Sequence, residues 1–152
     1  MTVSESIPLT PQPWCKYPNQ YVLHQHRLKE LAEWLESIDA PIRLPKDRGG
    51  PDGGIDLFIG DIKVDLKYFG VELHSNSLTW SSPGYRGLRR PVYHFTETDY
   101  FIHPTDGPPS EWIAGHVTQL RTSKYGYAPY YFKNAVVTVA KLVQDVFTKD
   151  PK

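Results

Sequence analysis

The most informative part of this sequence is residues 55–69, which read IDLFIGDIKVDLKYF. Two runs of β-forming residues flank the dipeptide Gly60-Asp61, and glycine at the first central position suits a tight type II′ turn. A two-residue turn sets the register of the two strands that it joins. The sequence therefore predicts a β-hairpin with the cross-strand pairs Ile59–Ile62, Phe58–Lys63, Leu57–Val64 and Asp56–Asp65.

The two faces of this hairpin are expected to differ in chemistry, because side chains alternate between the faces of a strand. One face is entirely apolar and is expected to pack on the core: Leu57, Ile59, Ile62, Val64 and Leu66. The other face carries the charged side chains and one aromatic ring: Asp56, Phe58, Lys63, Asp65 and Lys67.

Asp56 and Asp65 are directly opposite each other in this register, so their Cβ atoms are expected to lie about 4.5–5.5 Å apart. Two carboxylates at that distance repel each other. A divalent cation such as Mg²⁺ removes the repulsion, and it prefers oxygen ligands. Lys67 lies two residues beyond Asp65 on the same face, where its ammonium is near a metal-bound water or an anionic substrate. The hairpin thus predicts a metal site.

An amphipathic helix is predicted before the hairpin, over residues 19–40, which contain neither Gly nor Pro. Apolar residues recur in it at spacings of three to four: Leu28, Leu31, Ala32, Leu35 and Ile38. Asn19 is expected to cap the helix and Pro41 to end it. A short strand is predicted at residues 42–44.

After the hairpin, the chain is predicted to continue with strands and turns and to close with a helix. Residues 70–91 hold Gly, Ser, Pro and Arg and are predicted to form a loop. Strands are predicted at residues 93–95, 100–103 and 111–120. Asn134 is expected to cap a final helix, although its many valines also suit a strand. This order of elements indicates an α/β or α+β domain with a central sheet.

Length and composition are those of one ordinary globular domain. The chain has 152 residues, of which 39% are apolar and 22% charged. Four of the 14 prolines lie before residue 19. We therefore expect a Pro-rich N-terminal arm over residues 1–18, either laid on the body or loose, and a single domain over residues 19–150.

Several classes of protein are disfavoured by the same composition. One cysteine excludes an intramolecular disulfide framework and a thiolate zinc cluster. No apolar run is long enough to span a membrane, and no signal peptide is recognisable, so a cytoplasmic protein without a membrane partner is expected. Lys plus Arg and Asp plus Glu are both 17, so nucleic-acid binding would need local clusters of charge.

The pattern Asp56, eight residues, then Asp65-Leu66-Lys67 on the next strand resembles the PD-(D/E)XK nuclease superfamily, whose members have the restriction-endonuclease-like fold. The resemblance covers residues 20–69 and, more loosely, 92–120. It implies an α-β-β-β-α-β core, with a central mixed sheet flanked by helices. It also implies metal-dependent hydrolysis of phosphodiester bonds in DNA, which makes the expected enzyme an endonuclease.

The resemblance implies a role for each residue of the pattern. Asp56 and Asp65 would hold Mg²⁺, or Mn²⁺ in its place, and the backbone carbonyl of Leu66 would add a ligand. Lys67 would position or deprotonate the attacking water and offset charge on the scissile phosphate. The catalytic residues would thus be Asp56, Asp65 and Lys67. The cation itself lowers the pKa of bound water and stabilises developing charge.

The chain departs from the family pattern at three places. The literal Pro-Asp is Pro51-Asp52, which falls in a glycine-rich loop, so Asp52 is the second choice for the first carboxylate. Many members add a glutamate from the helix, and here only Gln20 or His24 stands near that place. The helix expected after the Asp-x-Lys strand is not recognisable in residues 70–91.

The DNA partner would be held by local cations. Residues 73–96 contain Arg86, Arg89 and Arg90 and no acidic residue, and Lys63 lies on the charged face of the hairpin. These four residues are the predicted phosphate contacts, since arginine matches phosphate in a bidentate manner. An ordinary solvated loop and an exposed lysine are the alternatives. The small size also suggests, by resemblance, a homodimer.

Two other kinds of protein remain compatible with these features. One is a nuclease-fold protein that has lost activity and binds DNA or serves a structural role, in which the charged face is merely solvated. The other is a metal-dependent hydrolase of a small phosphorylated substrate. Asp-x-Lys alone is common, so the nuclease interpretation depends on the facing aspartate, the turn and the apolar opposite face together.

Overall fold

The computed structural model describes residues 2–13, 15, 17–46, 55–67, 71–74, 77–80, 98–116, 121–122, 130–132 and 136–148. The chain is a mixed α/β protein built on a six-stranded mixed sheet. The predicted α/β class with a mixed sheet is thereby confirmed. No helix within the described ranges is long and apolar enough to cross a lipid bilayer.

Three α-helices are present in the described residues: α1 (Val3–Ser6), α2 (Pro18–Ser37) and α3 (Val139–Thr148). A 3₁₀ turn covers Pro109–Glu111. The strands are β1 (Ile42–Arg43), β2 (Leu57–Ile59), β3 (Ile62–Leu66), β4 (Val71–His74), β5 (Ser77–Trp80), β6 (Tyr100–His103), β7 (Ile113–His116), β8 (Arg121–Thr122), β9 (Tyr130–Phe132) and β10 (Val136–Thr138).

The six-stranded sheet has the order β1-β2-β3-β6-β7-β10. Its neighbours pair antiparallel except β3 and β6, which are parallel. A parallel pair needs a long crossover connection, and this one contains the β4–β5 hairpin. That hairpin belongs to a second, four-stranded antiparallel sheet with the order β4-β5-β9-β8.

The β2–β3 hairpin has the predicted register over three pairs: Leu57–Val64, Phe58–Lys63 and Ile59–Ile62. Gly60 has a φ of 58°, which is the positive value that the first central residue of a type II′ turn requires. A residue with a Cβ would be strained there. The local turn chemistry therefore explains why the pairing could be predicted.

The apolar face of the hairpin packs in the main hydrophobic core, as predicted. Leu57, Ile59, Val64 and Leu66 are buried there, and Ile62 packs against them. The same cluster contains Ile102 and Ala114 from β6 and β7, four residues of α2 (Leu28, Leu31, Ala32 and Leu35), and Val139, Leu142 and Val143 of α3. Both long helices thus contribute to the core on one face of the sheet.

Helix α2 starts and ends differently from the prediction. It begins at Pro18, whose missing N–H is harmless in the first turn, so Asn19 lies inside the helix and not at its cap. It ends at Ser37, three residues before the predicted end. Asp39 then adopts a left-handed conformation with φ 61°, and the chain turns before Pro41.

Other sequence-based expectations need correction as well. The predicted loop 70–91 contains the paired strands β4 and β5, which are short and joined by the polar residues Ser75 and Asn76. The segment before α3 is strand β10, because Val136–Thr138 pairs with β7, so the final helix starts five residues after Asn134. Within the predicted strand 111–120, Ile113–His116 is strand and Glu111 belongs to the 3₁₀ turn, while residues 117–120 lie outside the described residues. The predicted strand 93–95 lies outside the described residues.

The described part of the N-terminal arm is laid on the body and contains α1. The carboxylate of Glu36 accepts the backbone N–H groups of Val3 and Ser4 at 2.9 and 3.4 Å. Ile7 is buried in the core at 4% exposure. The loose alternative is therefore excluded for this part of the arm.

Candidate active site

The predicted site residues lie where the parallel strands β3 and β6 end. Ligand sites in α/β sheets commonly form outside the carboxyl ends of such strands. Asp65 and Leu66 are the last two residues of β3, and the N–H of Lys67 continues the ladder to the carbonyl of Ile102 at 2.8 Å. Four side chains meet here, and we call His24, Asp56, Asp65 and Lys67 the carboxylate cluster.

Asp56 reaches this cluster by a route that the simple hairpin did not predict. The described pairs stop at Leu57–Val64, so Asp56 and Asp65 do not form the expected ladder pair. The backbone N–H of Asp56 instead donates to the carbonyl of Val64 at 2.8 Å. Its Oδ2 accepts the N–H of Leu66, also at 2.8 Å. The side chain is thus anchored to β3 and held beside Asp65.

His24 extends into the cluster from helix α2. Its Nε2 lies 2.9 Å from the carbonyl oxygen of Leu66 and 3.3 Å from Oδ2 of Asp56. Its Nδ1 lies 2.9 Å from Oε1 of Gln25, whose Nε2 donates to the carbonyl of Pro8 at 3.0 Å. Both ring nitrogens therefore face acceptors, and the ring satisfies them fully when both nitrogens carry protons.

The electrostatics of this contact agree with a charged imidazole. Burial lowers the pKa of His24, but the charge of Asp56 and the hydrogen bonds to Asp56, Gln25 and Leu66 outweigh it and raise the pKa to about 9. Burial likewise opposes the charge on Asp56. The charge and hydrogen bond of His24, with the hydrogen bonds from Asp65 and Leu66, nevertheless hold its pKa well below the ordinary value.

The pKa of Asp65 is raised, whereas that of Asp56 is lowered, although Asp65 has a cationic partner. It is 6% exposed, and Nζ of Lys67 lies 3.1 Å from its Oδ2. Burial raises the pKa of Asp65, and the neighbouring charge of Asp56 raises it further. The charge of Lys67 lowers the pKa but does not outweigh them, so the pKa of Asp65 is about 7. The two aspartates share a hydrogen bond. Near neutral pH, Asp65 is therefore the carboxyl that carries the shared proton.

His103 supports Lys67 from the neighbouring strand. Its Nδ1 lies 3.0 Å from the backbone carbonyl of Lys67, and because a carbonyl only accepts, Nδ1 is the protonated nitrogen. Burial lowers the pKa of His103, and the charge of Arg27 adds to this effect. The neutral ring thus holds the main chain of Lys67 in place. The sequence prediction missed this residue because nothing local shows that β6 lies beside β3.

The structure brings together most, but not all, of the predicted site. Asp56, Asp65, Leu66 and Lys67 meet, and His24 joins them as the helix residue that was one of two candidates. Gln20, the other candidate, is exposed. Lys63 is half-buried in β3, and its N–H donates to Asp99 Oδ2 at 2.9 Å. Asp52, Arg86, Arg89 and Arg90 lie outside the described residues.

The donors of the cluster fit a hard cation better than a soft one. The carboxylates of Asp56 and Asp65 and the Leu66 carbonyl supply oxygen, which Mg²⁺ and Mn²⁺ prefer. In the described part of the chain, no three His, Cys, Asp or Glu side chains are arranged as a metal-binding group. Here the protein's own cations, His24 and Lys67, contact the carboxylates instead. A divalent cation would have to compete with them for the same oxygens.

Comparison with protein-family models, curated proteins and solved structures gives no match to this chain. Its chemistry must therefore be argued from the site itself.

The stability of the metal-free protein is expected to depend on pH with a defined sign. The raised pKa of Asp65 contributes stability that is complete below its unfolded value near 3.8 and is lost as the pH rises through about 7. The raised pKa of His24 likewise contributes stability that is complete below about pH 6.5 and is lost as the pH rises through about 9. The lowered pKa of Asp56 contributes stability above about 3.8 that is lost at lower pH.

These contributions place the expected maximum of the unfolding free energy near pH 4–5, with a loss of a few kcal/mol by pH 9. Urea unfolding followed by circular dichroism in EDTA, from pH 4 to 9, measures this profile. In the Asp65→Asn variant, the unfolding free energy should fall less between pH 4 and 7 than it does in the wild type. A wild-type profile that rises between pH 5 and 8 would contradict the assigned protonation states.

Proposed function

We propose that this protein is a Mg²⁺-dependent DNA endonuclease that hydrolyses phosphodiester bonds at the carboxylate cluster. The observation that carries the proposal is the pair of the half-buried Asp56 and the buried Asp65, held beside the Leu66 carbonyl and Lys67 at the end of β3. A fold gains little from two adjacent carboxylates that are largely removed from solvent, whereas a cation site needs them.

The order of elements supports the same proposal. Helix α2 followed by β1, β2 and β3 corresponds to the α-β-β-β start of the core that the PD-(D/E)XK resemblance implies. The aspartate, the Asp-x-Lys strand and the helix residue His24 meet at one point, although they come from separate segments. The helix that would follow β3 in that core is not among the described residues, where β4 and β5 occur instead.

Each residue of the cluster has a role that follows from its contacts. Asp56, Asp65 and the Leu66 carbonyl would hold Mg²⁺, or Mn²⁺, which supplies an acidified water and stabilises charge on the phosphate. Lys67 is half-buried and paired to Asp65, so its ammonium is held where it can orient a water and offset phosphate charge. His103 keeps the main chain of Lys67 in position.

The protonation state of His24 distinguishes the two candidate functions, an active nuclease and an inactive protein of the same fold. As an imidazolium it neutralises Asp56 and occupies the space between Asp56 and Leu66. As a neutral ring its Nε2 lone pair would become a further donor at the same place. An inactive nuclease-fold protein is the second candidate function, and it is favoured by this self-neutralised arrangement of two carboxyls with two cations.

Nicking of supercoiled plasmid tests the proposal directly. Wild-type protein should nick the DNA with Mg²⁺ or Mn²⁺ and not with EDTA. Asp65→Asn, purified in parallel, should be inactive, which excludes a contaminating nuclease. A panel of labelled duplexes, junctions, flaps and single strands then defines the DNA structure that is cut. The absence of cleavage with both metals on every substrate would favour the inactive alternative.

The predicted phosphate contacts give a separate expectation about binding. Replacing Arg86, Arg89 and Arg90 together by alanine should weaken binding to all DNA sequences alike and lower the salt slope by about two to three. Fluorescence anisotropy at 50–200 mM salt, in the Asp65→Asn background, measures this without cleavage. The exposed Lys141 of α3 supplies the control Lys141→Ala, which should change neither quantity. An unchanged slope in the triple variant would remove these arginines from the interface.

A further inference from the structure

A cavity of about 160 Å³ adjoins the carboxylate cluster on the side of Asp56 and opens to solvent. Its apolar walls come from four separate segments of the chain: Ile7 and Pro8 of the N-terminal arm, Leu28 of α2, Leu44 and Pro45 after β1, and Ile55 before β2. Asp56 itself forms part of the wall, so the cavity and the candidate metal site share this residue.

The size of the cavity limits what can fill it. An apolar cavity of about 150 Å³ holds a benzene ring, whereas sites for larger ligands exceed about 300 Å³. The cavity therefore has room to enclose one six-membered ring, and the rest of a nucleotide would lie outside it. Two fused rings would fit it less well than one.

Three polar side chains limit the chemistry of the occupant. The ionised carboxylate of Asp56 in the wall repels an anionic group. Gln25 is 2% exposed, and its amide nitrogen donates one hydrogen to Pro8 and carries a second. Lys46 is exposed at the same cavity and is a cationic donor. The occupant that suits these groups is a neutral flat ring with carbonyl oxygens at its edge.

We propose that this cavity binds a single unpaired pyrimidine base of the DNA, next to the phosphate that is hydrolysed at the carboxylate cluster. The inference rests on the proposed function and names its substrate class. A base inside a duplex is stacked on both faces and cannot enter such a cavity. The substrate is therefore DNA with an unpaired pyrimidine at the cut, as in a single strand, a flap or a frayed end.

Binding of nucleosides tests the cavity without metal and without cleavage. Thymidine and deoxyadenosine are titrated separately into ¹⁵N-labelled protein in EDTA, and the side-chain amide signals of Gln25 report binding. Neutral nucleosides avoid repulsion between a phosphate and the aspartates. Thymidine should bind about fivefold or more tightly than deoxyadenosine, because the larger ring meets the cavity walls.

Substitutions at Leu44 should change this binding in opposite directions. Leu44→Phe fills the cavity and should weaken thymidine binding about tenfold. Leu44→Ala enlarges it and should reduce the preference for thymidine to about twofold or less. Val146→Phe is the matched control, since Val146 also packs partly buried against the core but does not line the cavity. The exposed Lys46 permits Lys46→Ala, which should weaken thymidine binding about threefold and leaves the core unchanged.

Cleavage of oligonucleotides separates this proposal from the proposed function. With Mg²⁺, the wild type should cut single-stranded oligothymidine at least about tenfold faster than oligodeoxyadenosine or a blunt duplex, and Leu44→Phe should lose that preference. Thymidine binding without cleavage of any DNA would overturn the nuclease and leave the base site. Cleavage with no thymidine binding, or with binding that Leu44→Phe and Lys46→Ala leave unchanged, would overturn the base site and leave the nuclease.

Discussion

Replacing Asp65 by alanine is expected to reduce Mg²⁺-dependent DNA cleavage about a thousandfold or more, because the groups of a metal site act as a unit. Asp65 contacts both of the other predicted catalytic residues: it shares a hydrogen bond with Asp56 and pairs with Lys67 at 3.1 Å. Its loss removes one metal ligand and leaves the ammonium of Lys67 without this partner. Asp56→Ala and Lys67→Ala should have effects of similar size.

Single-turnover cleavage of a labelled oligonucleotide measures this loss, with circular dichroism as the check on folding. Asp145→Ala is a suitable control, because Asp145 lies on α3 in an exposed pair with Lys141. It should cleave at the wild-type rate. If Asp65→Ala also cleaves at that rate while folded, the assignment of the active site to the carboxylate cluster is wrong.

The second large effect concerns stability and needs no substrate. A cation that binds only the folded protein stabilises it by about 1.4 kcal/mol at ten times its Kd. For a domain of this size, the wild-type Tm should rise by about 3 °C with Mg²⁺ or Mn²⁺ relative to EDTA. Both Asp56→Asn and Asp65→Asn should lose most of this rise.

In EDTA, however, the two variants should melt on opposite sides of the wild type. At pH 8, Asp65→Asn should melt about 5 °C higher than the wild type. Its neutral amide donates to Asp56 and accepts from Lys67, as the protonated acid does. The amide needs no proton uptake, so the variant avoids that cost in free energy. At pH 5, where proton uptake by Asp65 costs less free energy, that gain should be smaller, and it should vanish only near pH 4. Asp56→Asn should melt about 5 °C lower, because the half-buried His24 loses its counter-ion.

From the sequence alone, the two aspartates are equivalent and repel each other, which predicts that Asp56→Asn relieves the repulsion and raises the Tm in EDTA. The contacts in the structure revise that prediction. The contacts of His24 and the N–H of Leu66 stabilise the ionised Asp56. The repulsion between the two carboxylates therefore destabilises the ionised form of Asp65 and raises its pKa. Asp145→Asn should keep the full metal-induced rise. If wild-type protein shows no rise, or Asp65→Asn retains it, the two aspartates do not form a metal site, and the inactive alternative gains support.

The sequence alone was sufficient wherever the cause is local. The turn at Gly60 needs a positive φ, and a two-residue turn sets the register of the strands on both sides of it. The alternation of apolar and charged residues then assigns each side chain to a face. Helix α2 could be predicted for the same reason, because the spacing of three to four between its apolar residues is a local property of the sequence. Its ends were less certain, because Pro18 and Asp39 act through backbone geometry.

Local patterns were misleading where pairing with distant strands decides the structure. Val136–Thr138 suits a helix and a strand about equally, and its pairing with β7 makes it a strand. The β4–β5 hairpin lies in a stretch whose composition predicts a loop. In both places the hydrogen bonds of a sheet outweigh weak intrinsic preferences.

The chemical state of the site depends on residues that are far apart in the chain. His24 is 42 residues from Leu66, and His103 is 36 residues from Lys67. The ring of each histidine nevertheless contacts the backbone carbonyl of that distant residue. Which aspartate is ionised follows from these contacts. Two carboxylates and a lysine on one hairpin could be identified from consecutive residues, but the proton between them is placed by the cations and dipoles that the folded chain brings around them, because electrostatic energies depend on distance and burial.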